Sequence, residues 1–199
     1  RHVLVLGATG TGKTTAQRHM TIQDMNAGDG LGVIAPEAES VRDEILPFVP
    51  AHRLDDVVVI DPRDEIHPVP YNPLHLVPGE DIDLKAGELA TIFQRLCGEE
   101  SSAVPRMELI LTSAVYALLP IPGTSLLDIE RLLDQQDDAF RRWIVARTPD
   151  ERTRSFWSTT YPTYPKDAHL SLINRLGRFL RPRFVRNLLC QPESSFDFR

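Results

Sequence analysis

The chain is 199 residues long, 42% apolar and 25% charged, a composition that excludes a disordered or fibrous protein and leaves room for one sizeable core or two small ones. A formal net charge of −6 excludes a free-standing nucleic-acid binder coated in positive charge, but not a local basic strip. Cys97 and Cys190 stand apart without metal-ligand spacing, which implies neither a zinc site nor a disulfide framework.

The first predicted element is a strand, Val3 to Leu6, from the apolar run "HVLVL". It leads straight into "GATGTGKTT", Gly7 to Thr15, which supplies Gly7, Gly12, Lys13 and Thr14 at the spacing GxxxxGK[ST]. Glycine lets backbone N–H groups curl around a phosphate without Cβ clashes, and the helix that follows turns its positive end toward the anion. Gly10, Thr11 and Gly12 are expected to give backbone donors, Lys13 to reach the β- and γ-phosphates as the catalytic cation, Thr14 to ligate Mg²⁺, and Thr15 to reach the α-phosphate. Only Lys13, Lys85 and Lys166 are lysines among 22 basic residues, so a compact ammonium at this position departs from the chain's preference for arginine. The expected cofactors are ATP and Mg²⁺.

A helix is predicted from Lys13 to Asn26, then a strand at "LGVIA", a helix around Ser40 to Phe48, and a strand at "VVVID" ending on Asp61. Strands alternating with helices predict an α/β class with a parallel sheet covered on both faces. From Asp61 to Gly79 five prolines, Pro62, Pro68, Pro70, Pro73 and Pro78, block regular structure and mark a boundary.

Beyond Asp81 the periodicity turns helical. Ala86, Leu89, Ala90, Phe93, Leu96 and Cys97 fall at spacings of three and four, and "MELILTSAVYALL" is apolar almost all round, as in the central helix of a bundle. A helix starting at Thr124 or Ser125 buries Leu126, Leu127, Ile129, Leu132 and Leu133, and another covers Ala139 to Ala146. In "HLSLINRLGRFLRPRFVRNLL" Leu172, Ile173, Leu176, Phe179 and Leu180 share one helix side and Arg175, Arg178 and Arg181 the other, with Arg183 and Arg186 beyond Pro182. Two readings of these arginines stay open: a basic strip for phosphate backbones or a neighbouring subunit's nucleotide, or a solvated face with ion pairs.

Hydrolysis also needs an acid for the Mg²⁺ shell. On spacing alone Asp61, at the end of Val57 to Ile60, is the Walker B candidate. A guanine-reading NKxD motif and an LSGGQ-type signature are both missing, which leaves an ATP-binding motor or a kinase.

The order of "HVLVLGATGTGKTT", "AGDGLGVIAPEAESVRDEILPFVP" and "DDVVVIDPRDEIHPVPYNPL" resembles the hexameric DNA-pumping ATPases of the HerA/FtsK superfamily, closest to the conjugative coupling proteins of type IV secretion (TraD/TraG type). "FQRLCG", "RMELILTSAVYALL", "SLLDIERLL" and "SFWSTTYP" are similar to the helical segment within their nucleotide domain. The resemblance implies the N-terminal part of a RecA-like domain over residues 1–79 and an all-α insertion over 80–199. It also implies a homo-hexameric ring around DNA, a relaxase or secretion-channel protein as partner, and Walker B, sensor and trans-acting arginine residues beyond Arg199. On this view Asp61 ends an "IDP" strand and is not Walker B, and the fragment alone is inactive. The chain departs from the family at Ala35 and Pro36, where an aspartate and proline are usual. The start at Arg1 without an initiator methionine and the uncapped end "PESSFDFR" lead to the expectation of a longer parent chain. A small-molecule kinase and a non-hydrolysing assembly module of a secretion machine are the alternative functions. No apolar run reaches the roughly 18 residues that span a bilayer and no signal peptide is visible, so the expected location is the cytoplasm, with no membrane contact from these residues and any inner-membrane tether outside them.

Overall fold

Residues 4–36, 38–97, 105–134, 136–165 and 169–197 are described by the computed structural model, and the chain divides into two units, Arg1–Asp61 and Pro62–Arg199.

In the first unit, helix α1 (Lys13–Ala27) begins where the glycine loop ends. It stops at Gly28, whose φ of 91° puts the backbone in the left-handed region. There Gly28 N donates to Met25 O and Asp29 N to Asp24 O, which satisfies the last carbonyls of the helix. Arg53 Nη1 donates to Met25 O at 2.8 Å and to Asp29 O at 3.1 Å, tying a later segment to the same helix end. Helix α2 (Ala38–Glu44) ends before a 3₁₀ turn at Leu46–Phe48, and a second 3₁₀ turn spans Ala51–Asp56. The helix expected around Ser40 to Phe48 is thus broken, since Pro47 has no N–H to continue an α-helical ladder.

The expected RecA-like parallel sheet is not formed. Among the described residues no strand occurs; the runs at 4–6, 31–35 and 57–60 carry no regular secondary structure, and Val3 lies outside the described residues. Outside the helices, the backbone hydrogen bonds described in this unit join residues no more than five apart, so no ladder links one run to another. The physical reason is visible in α1: a doubly covered sheet needs helices with an apolar stripe, whereas "KTTAQRHMTIQDMNA" buries only Met25. Leu4 and Leu6 remain more than 80% exposed and Ile34 fully so.

The second unit is helical and carries the core. Helix α3 (Ile82–Cys97) buries Ala86, Leu89, Ala90 and Phe93 at the predicted spacing; the side chains of Leu96 and Cys97 lie outside the described residues. Helix α4 (Pro105–Leu118) buries Met107, Ile110, Leu111, Ala114, Val115, Ala117 and Leu118 on one broad face of roughly half its circumference, while Leu109 on the other side is exposed. Around it pack α5 (Leu127–Leu133), α6 (Asp138–Val145), α7 (Glu151–Ser155) and α8 (Leu170–Leu180), followed by α9 (Arg183–Leu189). Near the start expected for α5, Ser125 N donates to Asp128 Oδ2 at 2.8 Å and Asp128 N to Ser125 O at 3.0 Å, while the N-cap itself is Leu126, which caps through no side chain. Leu127, expected inside, is instead half-exposed. Asp137 and Asp150 cap α6 and α7 by accepting from Phe140 N and Thr153 N.

A π-helical turn, Phe156–Thr160, continues α7 into a 3₁₀ turn at Tyr161–Thr163. The wider turn aims Phe156, Trp157 and Tyr161 together at the core, where Trp157 Nε1 donates to Ser113 O and Tyr161 OH to Leu133 O at 2.8 Å. The proline-rich stretch is fastened by Asn72. Its Nδ2 donates to Thr124 O at 2.8 Å and Pro192 O at 2.9 Å, and its Oδ1 accepts from Leu74 N at 2.9 Å.

Replacing Asn72 by alanine removes all three bonds at a buried position and is expected to cost about 3 kcal/mol in urea unfolding. Ser195→Ala, which loses one exposed hydroxyl contact, should cost less than about 0.5 kcal/mol. Burial pushes the Tyr161 phenol up to about 12 and the Cys190 thiol up to about 11, above the ordinary values of 10.0 and 9.0. Both groups therefore favour the folded state fully below pH 9, and that contribution is lost as pH rises from 9 to 12. Thermal melts across this range should show falling stability, with a shallower fall in Tyr161→Phe.

Candidate phosphate-binding loop

Gly7 to Thr15 forms a turn and the first turn of α1. Ala8 O is its internal anchor: it accepts from Thr11 N at 3.4 Å, from Thr11 Oγ1 at 2.8 Å and from Lys13 Nζ at 2.6 Å. Gly10 and Gly12 have φ of 83° and 84°, a region that only glycine enters readily, so the sequence places its glycines where the chain needs them. A Cβ at Gly7 would lie 2.6 Å from Thr11 Oγ1, which makes the third glycine a matter of space.

Gly12 is the N-cap of α1, and it has no side chain to accept from the helix's first N–H groups. No acid sits in the first turn, so the positive end of this 15-residue helix is neither capped nor neutralised by its own sequence. Thr14 and Thr15 are exposed and Lys13 is half-buried, its side chain folded back over the loop. All seven residues expected at the site, Gly7, Gly10, Thr11, Gly12, Lys13, Thr14 and Thr15, thus lie on one short segment. The donor set suits an anion: backbone N–H groups, one ammonium and two hydroxyls. Thr14 offers a hydroxyl ligand for Mg²⁺, the remainder of whose shell would come from phosphate and water. Among the described residues no three His, Cys, Asp or Glu side chains gather into a metal site on their own.

Asp61, the spacing-based Walker B candidate, is half-buried at the end of an apolar run without regular secondary structure. Its charge adds to those of Asp43 and Glu39 in raising the pKa of Arg42, the largest cause being the hydrogen bond that Arg42 donates to the Asp43 carboxylate. Arg175 and Arg178 lie on α8, Arg181 is its C-cap, and Arg183 and Arg186 lie on α9, all in the second unit. Sequence reasoning missed a cavity of about 270 Å³ in that unit, lined by Tyr71, Asn72, His75, Lys85, Phe196 and Asp197 among others. Tyr71 and Phe196 stack there with centroids 5.4 Å apart, and Lys85 Nζ donates to Glu80 Oε2 at 2.9 Å and also to His75 O. No signal in the sequence joins segments so far apart.

Among the described residues no helix is long and apolar enough to cross a membrane. No family model, no curated protein and no solved structure matches the chain.

Gly7→Ala is expected to push the Thr11 hydroxyl off Ala8 O and shift the amide resonances of Ala8 to Lys13 in a heteronuclear NMR spectrum. Gly30→Ala, which meets nothing within 4 Å, should leave them in place.

Proposed function

We propose that the chain binds ATP with Mg²⁺ at Gly7 to Thr15 and serves as a subunit of a P-loop ATPase that moves DNA. The observation that carries the nucleotide reading is the loop itself: two left-handed glycines, an uncapped helix start without acids, and an ammonium folded over the same carbonyl that anchors the turn. Lys13 would leave Ala8 O for the β- and γ-phosphates, and the N–H groups of Gly10 to Lys13 would donate to phosphate oxygens. The Thr14 hydroxyl would hold Mg²⁺, which, when bound, neutralises phosphate charge, and Thr15 would reach the α-phosphate.

The motor reading draws on the resemblance to the conjugative coupling ATPases, whose motif order this sequence follows. In that reading the subunit forms a homo-hexameric ring on the cytoplasmic side, works with a relaxase or secretion-channel protein, and takes its Walker B acid and trans-acting arginine from residues outside 1–199.

Calorimetric titration of the chain with ATP·Mg²⁺ should give weak but saturable binding, lowered by about tenfold or more in Lys13→Ala, since a charge-assisted contact to phosphate is lost. Hydrolysis by these residues alone should be negligible; in the full-length protein it should depend on Lys13 and rise with double-stranded DNA. Binding indifferent to Lys13→Ala overturns the loop assignment. ADP release that needs a small acceptor and ignores DNA points to a kinase, and ATP-dependent assembly without hydrolysis points to a structural module.

A further inference from the structure

The longest stretch of one-sided charge lies far from the loop in sequence. Between His169 and Pro192 there are five arginines and no aspartate or glutamate, in a chain whose net charge is −6. Helix α8 turns Leu172, Leu176 and Leu180 into the core, and this orientation sends the opposite side outward. Arg178, Arg181, Arg183 and Arg186 are exposed and Arg175 is half-buried. On α8 the cations recur every third residue, rising about 4.5 Å from one to the next.

The ridge is held in shape. Arg186 Nη1 donates to Arg181 O at 3.0 Å across Pro182, which fixes the start of α9 against the end of α8. Cations at a helix C-terminus offset the macrodipole, and that explains Arg178 and Arg181 in part. It does not explain Arg183, which opens α9 at the end where positive charge is unfavourable and which pairs with Glu65 at 2.9 Å while its side chain stays 65% exposed. Among the described residues the guanidinium groups of Arg178 and Arg181 carry no ion pair, whereas Arg183 has its partner in Glu65, so the uncompensated charge of the ridge centres on Arg178 and Arg181.

We infer that the arginine ridge of α8 and α9 is a contact surface for the sugar-phosphate backbone of double-stranded DNA. The guanidinium fork matches phosphate oxygens in pairs, and a duplex presents one negative charge per about 1.7 Å of its axis, so a row of arginines meets complementary charge along its length. Phe179 and Phe184, the rings within the row, are half-buried, which leaves no exposed aromatic platform for unstacked bases. Backbone contact indifferent to base sequence follows. The inference deepens the DNA-moving reading and rests on it for the choice of duplex DNA over other polyanions.

The test is fluorescence anisotropy of a short labelled duplex of arbitrary sequence, titrated with the chain at several salt concentrations. Arg178→Glu with Arg181→Glu should weaken binding by about tenfold or more and flatten the dependence of log affinity on log salt by about two. Arg178→Gln with Arg181→Gln should show the same change at smaller size, with an unchanged far-UV circular dichroism spectrum showing that the fold is kept. Affinity unmoved by both pairs, no duplex binding by the unmodified chain, or displacement of the duplex by poly-glutamate at equal charge would each overturn the inference, the last by assigning the ridge to an acidic protein. The unmodified chain keeps the two readings apart: ATP binding without duplex binding removes the ridge alone, and duplex binding without ATP binding removes the loop alone.

Discussion

A helix whose apolar face takes up about half of its circumference has to be covered by several neighbours at once, and α4 imposes that condition on the whole of the second unit. Its small residues at Ala114 and Ala117 let neighbours come close, while Ile110, Leu111, Val115 and Leu118 fill the gaps between them. Helices α3, α5, α6, α7 and α8 all touch it, so each of them needs only one apolar stripe and is free to be polar outside. The outward arginines of α8 are possible for this reason: Leu172, Leu176 and Leu180 already commit the helix to α4 and α5, and nothing about packing restrains the other side.

The same logic explains which elements the sequence made legible. Periods of three and four placed α3 and α4 from their buried residues, and α5 and α6 were expected within one to three residues of where they begin, at Leu127 and Asp138. Periodicity is a local property, and helices are stabilised by local bonds plus one stripe. Strands are different, because a run such as Val57 to Ile60 states only that it is extended and apolar; whether it pairs depends on partners and on helices able to cover both faces. Helix α1 has no such stripe, and that absence could have been weighed from "KTTAQRHMTIQDMNA" before any sheet was expected. The Asn72 clamp was out of reach, since an asparagine in a proline-rich stretch gives no hint that its amide spans to Thr124 and Pro192.

The loop was legible for the opposite reason. Its shape depends on residues within one turn of each other: Ala8 O receives Thr11 and Lys13, and the two left-handed positions coincide with Gly10 and Gly12. Such a device needs little from the rest of the fold. A Walker B acid must instead be delivered by a separate element across space, and spacing from a neighbouring apolar run, the argument that raised Asp61, carries no information about that delivery.

The latch between Lys13 and Ala8 changes how ligand affinity at this loop is reckoned. A cation waiting in bulk water would surrender hydration on meeting an anion, and the free energy released would be offset by that loss. Here the ammonium already trades one water for a carbonyl 2.6 Å away, so on the proposed nucleotide reading an arriving phosphate would have to displace an internal acceptor as well as solvent. The loop is consequently preorganised but self-competing: in the proposed reading, a ligand would draw the lysine away only by binding it more strongly than Ala8 O does.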